Sequence, residues 1–289
     1  MVNFRPIVDV SVVIVNWNSG NYLQRLLVSL APLGNQTQIL VMDNGSTDSS
    51  FNCTGEWPNV RLIRWNTNRG FAAAANEGIR QAASAHILLL NPDVSIYPEA
   101  VRPLVQKLDE NPDAGLMAAY LEDEQGELQH AFQLRPFPTV FNVIADALFF
   151  DEVLQLFKSS PAPQPLEEQN GACRPIREQP AAAFWLMRKR AWDGVGGFDE
   201  DFWPAWFEDV DFCLRLKKQG WKILFCPTIV GRHRGGISLD TLPQKEFLKI
   251  FYANLIQYWK KHHIVSLPLI WLPVKLGLLI RMLGAGWRC

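Results

Sequence analysis

Residues 10–18 read VSVVIVNWN, an apolar run interrupted only by Ser11 that ends on Asn16, Trp17 and Asn18. A half-buried strand alternates apolar and polar residues, whereas a continuous apolar run indicates a strand that is covered on both faces. Strands are covered in this way when helices connect them in a parallel sheet. The stretch therefore predicts a buried strand of a parallel sheet.

Similar runs recur through the first third of the chain and alternate with segments of helical length. The runs are QILVMD, VRLIRW and HILLL, and the helical segments span 21–31, 71–83 and 98–111. Strands that alternate with helices form a doubly wound, mostly parallel sheet with helices on its faces. The predicted fold class is α/β.

Polar residues directly follow each predicted strand. In sheets of this class ligands bind beyond the carboxyl ends of the strands, so these residues are the first candidates for a site. They are Asn16, Trp17 and Asn18; Asp43 and Asn44; residues 66–70; and residues 91–93. We expect the four clusters to converge on one edge of the sheet.

The composition indicates a globular chain with no overall electrostatic preference. With 289 residues, 48% of them hydrophobic, the chain can bury one large core or two small ones. Lys and Arg number 28 against 29 Asp and Glu, which leaves a formal net charge of -1. No nucleic-acid partner is expected, and any anionic ligand must be bound by local groups.

The N-terminal segment and the cysteines favour a cytoplasmic protein. No basic segment, apolar core and small-residue cleavage site precede residue 10, so no signal peptide is predicted. The five cysteines are scattered without C-x-x-C spacing, which argues against a disulfide framework and a zinc site. We expect them to be reduced and mostly buried.

Regular patterning is lost between about residues 122 and 180, where acidic, proline-rich and aromatic stretches follow one another. The segment is too long for an ordinary connection, which predicts an insertion with a helix near 141–157. Patterning resumes with AAAFWLMRKRAWDGVGGF and WKILFCP, which contain two further strands. We predict a first domain over 1–240 that includes the insertion, and a helical C-terminal segment over 241–289.

The C-terminal segment combines apolar and basic residues in two predicted helices. The first spans about 244–262, and the apolar part that follows, Ile264–Val274, contains two prolines and falls short of the roughly 20 residues that span a bilayer. A helical stripe is formed by Leu276, Leu279, Ile280 and Leu283. The pattern favours a helix in the headgroup region of the inner leaflet over a spanning one, with packing on the domain as the alternative.

Two carboxylates stand at the ends of predicted strands. Asp93 can hold a divalent cation that in turn binds a diphosphate, although residues 91–93 also suit an ordinary turn before a helix. Asp43 can accept a nucleobase N–H or a ribose hydroxyl, although the Asn44-Gly45 turn after it also suits a simple connection. Both segments keep two interpretations.

Arg69 and Gly70 precede the alanine-rich segment FAAAANEGIRQAA. Glycine permits close approach of the backbone to a ligand, and the arginine is available to a phosphate. No G-x-G-x-x-G dinucleotide motif occurs in the chain, and a tightly packed helix explains the alanines equally well.

The segment WFEDVDFCLR offers a general base. Its carboxylates and neighbouring aromatic residues are Glu208, Asp209, Asp211, Trp203, Trp206, Phe207 and Phe212. Acidic first turns are common because of the helix dipole, but three carboxylates beside these aromatic rings exceed that need. Partial desolvation raises a carboxyl pKa toward the range of a general base. The aromatic faces suit either a sugar ring or the core.

His233 lies at the end of the last predicted strand, between Arg232 and Arg234. If that strand is parallel to the others, the imidazole reaches the edge that carries Asp93. It can then donate a nitrogen to a metal while the arginines bind phosphate. A surface or packing histidine is the alternative.

Six motifs in this order resemble glycosyltransferase family 2, in particular its branch of bacterial rhamnosyltransferases. They are VSVVIVNWN, VMDNGSTD, NRGFAAAANEGI, LLLNPDV, GGFDEDFWPAWFEDVDFCLRLKKQGW and HRGGIS, and they cover roughly residues 8–240. The resemblance implies a GT-A fold with an acceptor-side insertion and inverting transfer of a hexosyl group from a nucleotide diphosphate to a hydroxyl. Mg²⁺ or Mn²⁺ is the implied cofactor.

The resemblance also implies roles for the matching residues. Asp43 matches the nucleobase-binding aspartate and Asp93 the metal-binding carboxylate. Asp209 matches the general base, with Glu208 beside it, and His233 matches a position that binds metal or diphosphate. The predicted donor-binding set is Asn16, Asp43, Asn44, Arg69, Gly70, Asn91, Asp93, Arg232 and Arg234. Asn91 stands where many relatives carry a second aspartate, so one carboxylate is offered to the metal.

The implied partners are a dTDP- or UDP-sugar, best dTDP-rhamnose, and a saccharide acceptor linked to polyprenyl diphosphate in cell-surface polysaccharide synthesis. Two alternatives stay open. A sugar nucleotidyltransferase would carry a Gly-rich loop with a basic residue where this chain has NWNSGNY. A catalytically silent scaffold would only bind nucleotide sugar or glycan.

Overall fold

The computed structural model describes residues 9–123, 125–127, 129, 134–148, 173–234 and 242–284. The chain forms two compact units, Met1–Arg135 with Gly171–Ser238, and Pro136–Asn170 with Leu239–Cys289. The first unit contains the sheet, and the second contains helices from the insertion and from the C-terminal segment.

The strands of the first unit follow the chain in the predicted order. They are β1 (Ser11–Asn16), β2 (Gln38–Asn44), β3 (Val60–Trp65), β4 (His86–Leu90), β5 (Val94–Ile96), β6 (Ala114–Glu122), β7 (Leu134–Arg135), β8 (Arg174–Pro175), β9 (Gln179–Pro180), β10 (Phe184–Arg188) and β11 (Lys222–His233). Among the described residues, nine form one sheet in the order β3-β2-β1-β4-β10-β6-β11-β5, with β8 paired to β11. β7 and β9 form a separate two-stranded ribbon.

The sheet is mostly parallel, as the apolar runs predict. β1 is parallel to β2 and β4, β2 is parallel to β3, and β6 is parallel to β11. β10 is antiparallel between β4 and β6, and β5 is antiparallel to β11. Because β10 reverses the direction once on each side, β6 and β11 point the same way as β1–β4. Their carboxyl ends therefore lie at one edge, which we call the carboxyl edge.

The helices occur as α1 (Tyr22–Leu30), α2 (Phe71–Gln81), α3 (Val101–Glu110), α4 (Val140–Ala147), α5 (Lys189–Val195), α6 (Glu208–Lys218), α7 (Gln244–His262) and α8 (Leu267–Gly284). α2 packs on β1 and β2, and a Cβ at Gly78 would lie 2.5 Å from a Val13 methyl. Successive β1 side chains Val12, Val13 and Ile14 have no exposed surface. Both faces of the strand are covered, which accounts for the unbroken apolar run.

The second unit is built from α4, α7 and α8. Ile270 and Val274 of α8 are fully buried, and Gly277 faces the Ala147 carbonyl of α4 closely. Arg281 donates to the carbonyl oxygens of Asp146 and Ala147 at the end of α4. Since α4 packs in this way, its residues group with the C-terminal segment, whereas the predicted first domain over 1–240 includes them. Residues 149–157 of the predicted insertion helix lie outside the described residues.

The C-terminal helix is longer than the sequence analysis assumed. Residues Ile264–Met282 form a helical stretch that is long and apolar enough to cross a membrane, by length and composition. Pro268 lies in the first turn of α8, where its missing N–H has no intrahelical partner to lose, and the helix continues past Pro273. The length argument against spanning was therefore wrong.

The expectation that every cysteine is reduced was also wrong. Cys173 and Cys226 form a disulfide, while Cys53 and Cys213 are free thiols. Arg174 of β8 pairs with Phe225 of β11, so the antiparallel register places residues 173 and 226 opposite each other. The two cysteines are 53 residues apart in the chain, and no local spacing indicates the pair.

Candidate functional site

The end of β1 is fastened to the loop after β2 by buried polar side chains. Asn16 Nδ2 donates to Asp43 Oδ1 at 2.8 Å and to Ser50 Oγ at 3.0 Å. Ser19 Oγ donates to Asn16 Oδ1. Asn18, with a left-handed φ of 47°, accepts from the backbone N–H groups of residues 47 and 48. Two of the predicted clusters therefore form one polar wall at the carboxyl edge.

Asp43 is a buried carboxylate with one oxygen left for a ligand. Its Oδ1 accepts from Asn16, whereas Oδ2 has no hydrogen-bond partner among the described residues. Arg64 Nε lies 3.3 Å from Oδ2 and supplies the compensating positive charge. The Arg64 guanidinium also stacks 3.9 Å from the Phe51 ring centroid. A buried charge is tolerated because a cation lies beside it.

Asn44 fixes the loop that carries Arg69 and Gly70. Its Oδ1 accepts from the Arg69 backbone N–H at 2.8 Å, and its Nδ2 donates to Asn68 Oδ1 at 2.9 Å. The Arg69 guanidinium stacks on the Trp65 ring, with 4.6 Å between Cζ and the centroid. Asn44 is therefore a structural residue of this edge, and Arg69 lies beside an aromatic ring rather than inside the polar wall.

Gly70 lies in close contact with the segment before α6. It has a left-handed φ of 93°, and a Cβ there would lie 3.0 Å from Trp203 Cδ1 and 3.2 Å from the Pro204 carbonyl oxygen. The same carbonyl accepts from the Phe71 N–H at 2.7 Å. The aromatic segment before α6 therefore reaches the carboxyl edge, and Trp203 remains 56% exposed there.

Asp93 and His233 meet at the other side of the edge. β5, which follows Asp93, pairs with the end of β11, and the Arg234 N–H donates to the Asp93 carbonyl. His233 Nε2 lies 3.4 Å from Asp93 Oδ2, although the two residues are 140 positions apart. Asn91 begins the turn: its N–H donates to the Ala183 carbonyl and its own carbonyl accepts from Val94.

Gln129 sets the tautomer of His233. Gln129 Nε2 donates to the His233 carbonyl at 2.7 Å, so its Oε1 is the atom that faces Nδ1 at 2.8 Å. An amide oxygen only accepts, so Nδ1 carries a proton, and in the neutral ring Nε2 is the nitrogen with the lone pair. A carboxylate and an imidazole lone pair then face each other. A cation between them, or protonation of the ring, relieves the repulsion.

The Asp93–His233 pair fits an octahedral divalent cation as a two-ligand site. Neighbouring ligands of Mg²⁺ lie about 3 Å apart, close to the 3.4 Å between Nε2 and Oδ2. A hydrogen-bonded partner on the second ring nitrogen, as Gln129 provides, is usual for a metal-binding histidine. Among the described residues no group of three His, Cys, Asp or Glu could hold a metal, so this pair offers two ligands and no third.

Two arginines at the end of β11 line a cleft of about 230 Å³ beside Asp93. It is lined by Tyr22, Arg25, Pro92, Asp93, Val94, Ser95, Arg232 and Arg234. Arg232 is bound to Glu122, with Nη2 at 2.9 Å from Oε1, whereas Arg234 lies over the Tyr22 ring with Cζ at 5.2 Å from its centroid. The two arginines therefore differ: the charge of Arg232 is neutralised, and that of Arg234 stacks on an aromatic face.

Glu208 and Asp209 begin α6 and differ in environment. Glu208 is 6% exposed, and its Oε2 has no hydrogen-bond partner among the described residues. Burial, with a further contribution from the Asp209 charge, raises the pKa of Glu208 well above its usual range. Asp209 Oδ2 accepts from Arg135 Nη2 at 3.2 Å. The desolvation predicted from the aromatic residues therefore acts mainly on Glu208.

The third carboxylate of this segment is occupied. Asp211 is fully buried, and Arg215 Nε and Nη2 approach its Oδ2 at 2.7 and 2.6 Å. Arg215 also donates to the Val195 carbonyl, which ties α6 to the end of α5. Asp211 thus stabilises the packing of α6, and Glu208 and Asp209 remain the candidates for the general base.

Sequence reasoning missed several residues that complete the edge. Arg64 was detectable, because it stands opposite Asp43 at the end of the neighbouring strand. Gln129 and Arg135 lie in the segment without periodicity, which gave no signal for either. Tyr22 and Arg25 belong to a helix whose pattern indicates only packing.

A model of the family described as "Glycosyl transferase family 2" matches residues 11–158, slightly more than half of the chain. The chain belongs to glycosyl transferase family 2. The matched range contains Asp43 and Asp93, and the predicted family is confirmed.

Curated relatives are similar over most of the chain. The N-acetylglucosaminyl-diphospho-decaprenol L-rhamnosyltransferase of Mycobacterium tuberculosis is 27% identical over 238 residues, 75% of this chain and 73% of the relative. The rhamnosyltransferase WbbL of Escherichia coli K12 is 24% identical over 230 residues, 78% of this chain and 83% of the relative.

Solved structures share the fold. TarS of S. aureus in complex with UDP-GlcNAc superposes with a TM-score of 0.56 at 17% identity, over 87% of this chain and 66% of that one. The mannosyltransferase PcManGT of Pyrobaculum calidifontis, bound to GDP-Man and Mn²⁺, gives 0.56 at 14% identity, over 99% and 77%. The predicted α/β fold of GT-A type is confirmed.

Proposed function

We propose that this glycosyltransferase moves a sugar, with inversion, from a nucleotide diphosphate donor to a hydroxyl of a lipid-linked saccharide. The proposal is carried by one arrangement: a carboxyl pair at the start of α6 and an Asp93–His233 pair occur at the carboxyl edge of a family 2 sheet. The pairs supply a base for the acceptor and a site for the leaving diphosphate. A silent scaffold would need neither.

The donor is bound along the wall formed by the ends of β1 and β2. Asp43 Oδ2 accepts a nucleobase N–H or a ribose hydroxyl, in keeping with its lack of a hydrogen-bond partner. Asn16 and Arg64 hold the carboxylate in place and charged. Asn44 positions the loop with Arg69 and Gly70. By analogy with the rhamnosyltransferase relatives, the donor is dTDP-rhamnose.

Asp93 and His233 would hold Mg²⁺ or Mn²⁺ through Oδ2 and Nε2. When bound, the ion neutralises negative charge on the departing diphosphate. A single positive charge at 4 Å contributes about 4 kcal/mol at an effective dielectric of 20. Arg234, whose guanidinium lies on Tyr22 in the adjoining cleft, adds positive charge on the same side. Arg232 contributes less, because Glu122 neutralises it.

Asp209 is the general base that takes the proton of the acceptor hydroxyl. One base suffices for an inverting displacement, because no covalent intermediate forms between the sugar and the enzyme. Burial raises the pKa of Glu208 beside it well above its usual range, which favours Asp209 as the charged member of the pair. The exposed Trp203, next to Gly70, offers a flat face to a sugar ring of the acceptor.

The second unit contacts the membrane that carries the acceptor lipid, on its cytoplasmic face. One side of α8 packs on α4 through Ile270, Val274 and Gly277, and the other side is apolar and exposed. A helix fixed to its neighbour along one side suits the membrane interface, because spanning would carry Arg281 and the end of α4 into lipid. The name of the mycobacterial relative refers to a diphospho-decaprenol compound, which agrees with a lipid-linked substrate.

The base assignment is tested with Asp209→Asn in the full-length chain. Positioned proton transfer accelerates reactions by about 10²- to 10⁴-fold, so kcat should fall by that factor. Donor binding, followed by thermal shift with dTDP- and UDP-sugars, should stay within twofold of the parent. Asp201→Asn, an exposed carboxylate, is the control for charge loss. Near-normal turnover of Asp209→Asn would exclude this base.

A further inference from the structure

Arg135 stands in the aromatic, proline-rich segment that the proposed mechanism does not otherwise use. It is the second residue of β7, and the β7–β9 ribbon places it directly opposite Gln179, which is 2% exposed. In the amide orientation that satisfies both polar atoms, Gln179 Oε1 accepts from Arg135 Nε at 3.0 Å. The guanidinium is therefore held at one end while Nη2 reaches Asp209.

Arg135 approaches the carboxyl pair from one side only. Its Nη2 lies 3.2 Å from Asp209 Oδ2, a single contact rather than a bidentate one. Asp209 Oδ1 accepts from the Val210 N–H at 2.8 Å, so the carboxylate is fixed at both oxygens. The Asp209 side chain keeps 11% exposure, which leaves a path for a hydroxyl group.

Other charges near the pair are committed elsewhere or lie further along α6. The charges that act on Glu208 besides Asp209 are Arg135 on β7 and Asp211 on α6. Cys213 on α6 lies near Asp209, and Arg215 and Lys217 act on that thiol. Asp211 and Arg215 pair with each other. Lys217 donates to the carbonyls of residues 176 and 177. Arg135 is thus the cation in direct contact with Asp209.

We propose that Arg135 is a positioning residue that keeps the negative charge of the Glu208–Asp209 pair on Asp209, the carboxylate that faces the acceptor. Two adjacent carboxylates in a buried site repel each other when both are charged, so one of them tends to keep a proton. Arg135 Nη2 contacts Asp209 Oδ2, whereas Glu208 Oε2 has no hydrogen-bond partner among the described residues, so the guanidinium stabilises negative charge most directly on Asp209. The inference rests on the proposed function, since both take Asp209 as the general base.

The test is the pH–rate profile of Arg135→Met and Arg135→Lys under saturating donor and acceptor. Without the cation the pair binds its second proton more readily, so the acid limb should move up by about one pH unit. At pH values below the limb kcat should fall about tenfold, with a smaller loss at neutral pH, and Arg135→Lys should recover part of both effects. The control is Arg61→Met, because Arg61 is exposed and lies at the amino end of β3. This substitution should leave the pH–rate profile unchanged.

Three outcomes would overturn the proposal. An equal loss of activity at every pH, accompanied by a lower melting temperature, would assign Arg135 a purely structural role. A higher KM for the lipid acceptor with an unmoved acid limb would make it a substrate contact. A parental profile would exclude any role in the pair. If Asp209→Asn is inactive in each of these cases, the proposed function stands while the role of Arg135 fails.

Discussion

At the scale of single residues, a comparison of two glycines distinguishes the cost of backbone strain from the cost of steric contact. Gly45 and Gly34 both have a left-handed φ, 76° and 83°. A Cβ at Gly45 would lie 2.5 Å from the Thr67 carbonyl carbon, whereas a Cβ at Gly34 meets nothing within 4 Å.

Gly34→Ala should therefore cost only the left-handed conformation, about 1–2 kcal/mol of unfolding free energy. Gly45→Ala should cost more, and it should weaken donor binding because the loop after β3 must move away from Asn44. Denaturant melts measure the first effect and thermal shift with nucleotide measures the second. Equal losses in the two variants would contradict the steric part of the argument.

Individual site residues were predictable where a strand end fixes their position. The positions of Asp43, Asp93 and His233 at one edge were predictable because parallel strands place their ends there, and the roles of the three residues stay predictions. Arg135 and Gln129 were not, since they act from a segment whose sequence has no period. Glu208 was found, but only the structure distinguishes its buried carboxyl from the Arg135-bound carboxylate of Asp209.

At the scale of elements, α8 has two apolar sides with different surroundings. Ile270 and Val274 are buried within the second unit, whereas Leu269, Leu272, Leu276 and Leu279 are 60%, 65%, 46% and 55% exposed. Lys275 lies near the Trp271 ring, an arrangement typical of the boundary between lipid and water. The exposed stripe continues the one predicted from residues 276, 279 and 280.

Replacement of the four exposed leucines by serine should abolish binding to anionic phosphatidylglycerol vesicles. At about 1 kcal/mol for each partly inserted leucine, the partition coefficient should fall by two to three orders of magnitude. Val28→Ser, an exposed apolar residue of α1, is the control. Binding of parent and quadruple variant to the same extent in vesicle sedimentation would show that α8 does not contact lipid.

The elements of the sheet were well predicted, because strand length and periodicity are local properties. The helix 244–262 was predicted with its observed bounds. The extent of α8 was not predicted. A proline in a sequence suggests a helix break, but a proline in the first turn leaves the helix intact. The antiparallel ribbon of β7 and β9 was also missed, because two-residue strands produce no pattern.

At the scale of the whole molecule, the proposed metal pair of Asp93 and His233 joins residues that are far apart in the sequence of the first unit. Mn²⁺ or Mg²⁺, added with a nucleoside diphosphate, should raise the melting temperature of the full chain. Binding at 100 times the dissociation constant adds about 2.7 kcal/mol of stability. Asp93→Asn and His233→Gln should each remove most of this metal-dependent shift, while Asp201→Asn should keep it. An unchanged shift in both variants would place the cation elsewhere.

The pairing of the three-residue β5 with the last residues of β11 has a consequence for synthesis of the chain. A nascent chain that has been synthesised only as far as residue 221 already contains the residues of the polar wall, but the imidazole opposite Asp93 has not yet been made. Such a chain has the residues proposed for donor binding, but it lacks one of the two ligands proposed for the cation.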